Sequence, residues 1–182
     1  KQLVEAGAHN INFVNPTHYA HILLDVLSRY RPPVPVVYNT GGYDKVETLR
    51  ALDGLIDIYL PDLKYLSPAL ALRYSGHEDY PAVACAAIDE MVRQTGAPRL
   101  TSDGLLSRGV IVRHLVLPGQ SAEAVRVADY LAARYGDRIY ISAMSQYTPH
   151  GDLSDFPEIA HRVRPIEYKR MVEALRRHGV TR

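Results

Sequence analysis

A carboxylate and an amine stand two residues apart at the end of an apolar run, Asp57-Ile58-Tyr59-Leu60-Pro61-Asp62-Leu63-Lys64. Period-2 alternation places Leu60, Asp62 and Lys64 on one strand face and Pro61 and Leu63 on the other. Charges that follow directly on a buried strand are costly unless they are paired or functional. In parallel α/β proteins, ligand chemistry gathers at the carboxyl ends of strands. Asp62 and Lys64 therefore read as site residues, with a surface ion pair as the plainer alternative. A strand-end lysine beside a carboxylate is also the nucleophile that a Schiff-base lyase or aldolase requires.

Four other runs finish in polar or glycine residues in the same way. They end in Asn15-Pro16-Thr17-His18, in Asn39-Thr40-Gly41-Gly42, in Arg113-His114 followed by Leu117-Pro118-Gly119, and in Gln146-Tyr147. Five such ends on one rim would make a pocket with donors, acceptors and both signs of charge. The glycines after Thr40 would let backbone amides approach a ligand closely, or simply form a tight turn. The spacing is not a dinucleotide fingerprint. Arg113 and His114 are adjacent in a strand and so face opposite sides. His18 and His21 share a helix face, but no third ligand completes a metal site; they read as solvent-facing or capping residues.

The elements that must position these residues alternate. Strands are predicted over His9–Val14, Val34–Thr40, Ile56–Lys64, Val110–Leu117 and Arg138–Ser145. Several are near-continuous apolar runs, as parallel strands covered on both faces require. Helices are predicted over Thr17–Tyr30 (Tyr19, Ile22, Leu23, Val26 and Leu27 at helical spacing), Asp44–Asp53 with Asp44 as N-cap, Pro68–Ser75, Pro81–Gln94, Ser121–Tyr135 and Pro165–His178. The order is that of an α/β protein with a mostly parallel sheet. Ala97–Gly109 carries Asp103-Gly104, a hairpin signal, and Thr148–Arg164 reads as a long loop. The opening residues look like the last turns of a helix capped by Gly7, so an upstream βα unit is expected.

The 182 residues fit one domain with a sizeable core, and 47% are hydrophobic. A net charge of +1 provides no field to recruit nucleic acid or an anionic membrane. No apolar run is long enough to span a bilayer. The single cysteine, Cys85, permits no intramolecular disulfide, makes the cytoplasm the default compartment, and is expected in the buried face of a helix. The 13 tyrosines are expected mostly in the core, with their hydroxyls at its margin.

In this order, the strand ends resemble the radical S-adenosylmethionine superfamily, in particular the pyruvate formate-lyase activating enzymes and their uncharacterised bacterial relatives. The resemblance rests on Gly7–Tyr19, Val37–Tyr43, Asp57–Tyr65, Arg113–Gly119 and Met144–Tyr147. It implies a partial (β/α) TIM-like barrel binding S-adenosylmethionine at the strand carboxyl ends. In that family a [4Fe-4S] cluster cleaves the cofactor to a 5′-deoxyadenosyl radical, which abstracts hydrogen from a glycyl-radical enzyme or a small-molecule substrate. A one-electron donor protein is implied as a further partner. By position, Asn15-Pro16-Thr17 falls where the family has Gly-Gly-Glu, Asn39-Thr40 where activating enzymes have Asp-Thr, and Asp62 and Lys64 on its Asp-x-Lys. Arg113, His114, Gln146 and Tyr147 fall on strands lining the same pocket. The family's Cys-x3-Cys-x2-Cys loop is absent, so no metal ligand is assigned here and the chain reads as the C-terminal portion of such an enzyme. The exposed barrel edge would favour self-association. A barrel remnant that binds a nucleoside or a protein without chemistry is the third reading.

Overall fold

The computed structural model describes residues 1–180. Its elements are α1 (Gln2–Glu5), β1 (Ile11–Val14), α2 (Ala20–Arg29), β2 (Val36–Thr40), α3 (Val46–Ala51), β3 (Ile58–Pro61), α4 (Pro68–Ser75), α5 (Tyr80–Thr95), β4 (Arg99–Leu100), β5 (Leu106–Leu115), α6 (Ser121–Tyr135), β6 (Tyr140–Met144) and α7 (Pro165–Arg177). The strands form a mixed, mostly parallel six-stranded sheet in the order β1-β2-β3-β5-β4, with β6 also paired to β5. The β1–β2, β2–β3 and β3–β5 pairs are parallel, and β4–β5 is antiparallel. The chain divides into two compact units.

The first unit comprises residues 1–62, 82–112 and 138–140. Its central strand, β2, is buried at every position, as its unbroken Val-Val-Tyr-Asn-Thr run anticipates. Helix α5 contributes Ala84, Ala87, Ile88 and Met91, all fully buried and spaced as one helical stripe. Helix α2 buries Ala20, Leu23 and Leu27, whereas Ile22 and Val26 are about half exposed. The predicted helix is present, but its first turn is a 3-10 turn over Pro16–Tyr19. The Asp103-Gly104 hairpin forms between β4 and β5, with Thr101 N donating to Leu105 O at 2.8 Å. Gly109, where β5 begins to pair with β3, has φ +139°. A β-carbon there would stand 3.0 Å from the Pro98 Cα, so glycine lets the two backbones approach.

The second unit comprises residues 63–81, 113–137 and 141–182. Helices α6 and α7 pack together. The α6 stripe is Ala124, Val127, Ala128, Leu131 and Tyr135, and α7 contributes Met171, Ala174 and Leu175. The loop after β6 contains a 3-10 turn at Pro157–Ile159.

Four expectations need correction. The β3 strand ends at Pro61, which has no N–H to donate, so Asp62 and Lys64 follow the strand and do not lie within it. The alternation persists nonetheless: Pro61 and Leu63 are buried, while Asp62 and Lys64 are half-buried. Asp44 does not cap α3; the cap position is Lys45, without a side-chain hydrogen bond. Cys85 is half-buried on α5 and not enclosed in the core. The tyrosines are also less interior than expected. Tyr38, Tyr59, Tyr65, Tyr80 and Tyr135 are buried, but Tyr30 and Tyr43 are exposed.

Tyr59 anchors the first core. Its hydroxyl donates to Gln94 Oε1 at 2.6 Å, and Gln94 Nε2 donates to Leu49 O and Glu90 Oε1, both at 2.8 Å. Tyr59→Phe leaves that amide oxygen unpaired in a buried site and is expected to cost about 1–3 kcal/mol, read from the urea midpoint. Among the described residues β1 pairs only with β2, and Val14 beside its free edge is 59% exposed. The chain is therefore expected to self-associate with rising concentration, and Val14→Lys to weaken that association in sedimentation velocity.

Candidate functional site

In the first unit, the carboxyl ends of β1, β2 and β3 are stitched into a row. Asn15 N donates to Asn39 O at 2.7 Å, and Asp62 N donates to Thr40 O at 3.0 Å. The chain leaves β1 through Asn15 in the left-handed region, at φ 49° and ψ 53°. Asparagine is among the few non-glycine residues that tolerate this conformation. Pro16 then starts the 3-10 turn that carries Thr17.

A buried carboxylate sits beneath this row. Asp44, 1% exposed, accepts at Oδ1 from Thr17 Oγ1 at 2.7 Å and from Tyr38 Oη at 2.9 Å, and at Oδ2 from Thr40 Oγ1 at 2.5 Å. Gly42 N donates to Thr40 Oγ1 at 3.2 Å. Burial, then the adjacent Asp44 charge, push the Tyr38 phenol well above its ordinary pKa, so it stays protonated and donating. Above the carboxylate, Asn39 is only 9% exposed, and its carboxamide makes no hydrogen bond among the described residues.

The second unit holds the remaining predicted residues. Leu63 N donates to Arg113 O at 2.9 Å. His114 is buried, and its Nδ1 lies 2.7 Å from Leu63 O; a carbonyl only accepts, so the ring proton is on Nδ1. Arg113 is half-buried and His114 buried, in line with opposite faces. Lys64 N donates to Tyr80 Oη at 3.1 Å. A cavity of about 10 Å³ is lined by Lys64, His114, Gln120 and Glu123, room for one water at most. Gln146 and Tyr147 bond elsewhere. Gln146 is exposed with Nε2 3.7 Å from Met144 Sδ, and Tyr147 Oη donates to Ile159 O at 2.9 Å.

The structure thus links Asn15, Thr17, Asn39, Thr40 and Asp62 in one unit, and Lys64, Arg113 and His114 through Leu63 in the other. Sequence reasoning missed Asp44 as the hub of the first set, because Asp before a helix reads as a cap. It also missed two buried glutamates. Glu123 accepts from Leu66 N and Ser67 N at 2.5 and 2.7 Å, and Glu167 accepts from Gly119 N at 2.7 Å and Arg164 N at 2.9 Å. His18 and His21 are exposed, and among the described residues no three His, Cys, Asp or Glu side chains are grouped to hold a metal.

No family model matches the chain. It is 26% identical over 176 residues to the uncharacterized protein MJ0674 of Methanocaldococcus jannaschii, covering 94% of this chain and 47% of that protein. The chain therefore spans about half the length of this curated relative. Its fold is similar to that of a domain of pyruvate-formate lyase-activating enzyme from Bacteroides vulgatus, with a TM-score of 0.61, 14% identity and 94% of each chain covered.

Glu167 gives the second unit a pH signature. Burial pushes its carboxyl up, but hydrogen bonds from the Arg164 side chain and the Arg164 and Gly119 amides outweigh this and hold it at about 2. A depressed carboxylate stabilises the fold above its unfolded pKa of about 4.3, and the gain is lost as pH falls toward about 2. Glu167→Gln should lower stability at pH 7 and flatten the pH dependence of unfolding between about 4.5 and 2, read by urea melts across that range.

Proposed function

We propose that this chain is the S-adenosylmethionine-binding portion of a radical S-adenosylmethionine protein of the activating-enzyme type. The observation that carries this reading is the row of polar strand ends, Asn15, Thr17, Asn39 and Asp62, in which the Asn39 carboxamide makes no hydrogen bond among the described residues. Among the described residues no buried side-chain nitrogen or oxygen lacks a partner, so the Asn39 carboxamide opens to solvent at the rim, where a ligand can reach it. Two further points support it. The fold resembles that of a pyruvate-formate lyase-activating enzyme domain. Asn15 holds the left-handed backbone that glycine favours, at the position where the family motif begins with glycine.

The chain's own donor set suits the amino-acid end of such a cofactor. Asn15, Thr17, Asn39 and Asp62 offer amide donors, hydroxyl and carboxylate oxygens on one rim, with Thr40 turned beneath them. Lys64, Arg113, His114, Gln146 and Tyr147 belong to the proposal by resemblance. So do the partial barrel, the cytoplasmic setting, the electron donor and the substrate, whether a glycyl-radical enzyme or a small molecule. When bound in that family, the cofactor supplies a carbon-centred radical for hydrogen abstraction. An iron–sulfur cluster does not fit the residues of this chain, because it needs several thiolates and Cys85 is the single cysteine. No step through a cluster is assigned to it.

Calorimetry with S-adenosylmethionine on the 182-residue chain tests the reading. Saturable binding is expected, weakened about tenfold by Asn39→Ala or Asp62→Ala, equivalent to about 1.4 kcal/mol. Absence of heat at millimolar cofactor would overturn it. A Schiff-base lyase makes the opposite demand of Lys64. Borohydride in the presence of small aldehydes and keto acids should leave Lys64 unmodified, by peptide mass.

A further inference from the structure

We infer that Asp44 is a positioning residue that fixes the direction of the Thr17 hydroxyl at the rim, a role resting on the cofactor reading above. Among the described residues four acidic side chains are buried: Asp44, Glu90, Glu123 and Glu167. Three of them touch an arginine. Glu90 meets Arg93 at 2.8 Å, Glu123 meets Arg126 at 2.9 Å, and Glu167 meets Arg164 at 3.1 Å. Among the described residues Asp44 is held by hydroxyls, those of Thr17, Tyr38 and Thr40. A buried charge without a counter-ion is costly, and here it is held by three O–H donors that come from two separate strand ends.

Each of those hydroxyls has one proton, and each proton is committed to the carboxylate. The 3.4 Å approach of Thr17 Oγ1 to Thr40 Oγ1 is then a contact between two acceptors and not a hydrogen bond. Thr40 and Tyr38 are buried, and Thr40 Oγ1 accepts from Gly42 N with one of its two lone pairs. Thr17 is exposed. It alone among the three can present lone pairs outward, so Asp44 makes it an obligate acceptor toward a ligand donor such as an amine. The same carboxylate clamps the turn after β1 to the loop after β2, because Thr17 belongs to the first and Asp44 to the second. Asn15 and Asn39 flank that clamp.

Asp44→Asn keeps the shape but replaces one acceptor oxygen with an N–H donor, forcing a hydroxyl to turn its proton outward. Two readouts decide the proposal. The first is ligand-free: hydrogen exchange at the Asn15 and Gly42 amides should rise at least tenfold in Asp44→Asn, with the Tyr59 and Leu49 amides unchanged. Unchanged exchange at Asn15 and Gly42, or a uniform rise across the core, would overturn the clamp. The second is a binding cycle with S-adenosylmethionine. Asp44→Asn and Thr17→Val should each weaken binding about tenfold, the double variant no further, and Thr17→Ser should restore it. Wild-type affinity in Asp44→Asn, or independent losses in the double variant, would overturn the positioning role while leaving the cofactor reading intact. Failure of the wild-type chain to bind would sink the cofactor reading and the role of Thr17 with it, and the exchange data would still judge the clamp.

Discussion

The register of parallel pairing around β2 is the constraint on which the rest depends. Val14 stands opposite Asn39, and Thr40 stands opposite Pro61. Because β2 is buried at all five positions and hydrogen-bonded along both edges, neither neighbour can slip without turning its side chains to the wrong face. The chain therefore leaves β1 at Asn15, β2 at Gly41 and β3 at Asp62 on one level. Polar residues far apart in sequence become neighbours because the strands beneath them have no freedom.

Buried carboxylates secure the loops that such strands release. Glu123 gathers the amides of Leu66 and Ser67 ahead of α4, and Glu167 gathers those of Gly119 and Arg164. Each accepts from two loop amides. Asp44 does the comparable work with hydroxyls. The α4 side of the second unit is fastened by charge as well. Arg73 Nε donates to Glu158 Oε1 at 2.6 Å, Tyr74 Oη donates to the same oxygen at 2.8 Å, and the Arg73 guanidinium lies 4.9 Å from the Phe156 ring centroid. Hydrogen bonds from Arg73 and a backbone amide hold the Glu158 carboxyl at about 2.

Local pattern carried most of the fold. The first-turn proline of α4, the Ser-x-Glu start of α6 with Gly136 past its end, and Gly179 past α7 placed these helices within a residue of their observed bounds. Apolar runs located every strand except the two-residue β4, which was anticipated only as part of a turn. The failures have a common cause. Ile22, Val26, Cys85 and Asp44 are residues whose surroundings are set by chain segments remote in sequence, so periodicity and capping preference alone misplace them. The site was legible to the same degree. Asn15, Thr17, Asn39, Thr40 and Asp62 were singled out because they end strands, and the structure links them in one row. Their shared dependence on Asp44 was not, since three hydroxyls converging on one carboxylate leave no spacing signature. Arg113 and His114 were correctly placed on opposite faces by alternation, whereas Gln146 and Tyr147 owe their contacts to a loop without periodicity.

The Asn15–Pro16 pair has a chemical consequence. An exposed asparagine in an open backbone ordinarily ages by attack of the following amide nitrogen on its side chain, closing a succinimide ring that later opens to aspartate or isoaspartate. Proline's nitrogen has no hydrogen and cannot close that ring. The one non-glycine residue with positive φ among the described positions is thus shielded from the succinimide route of ageing that its exposure would invite.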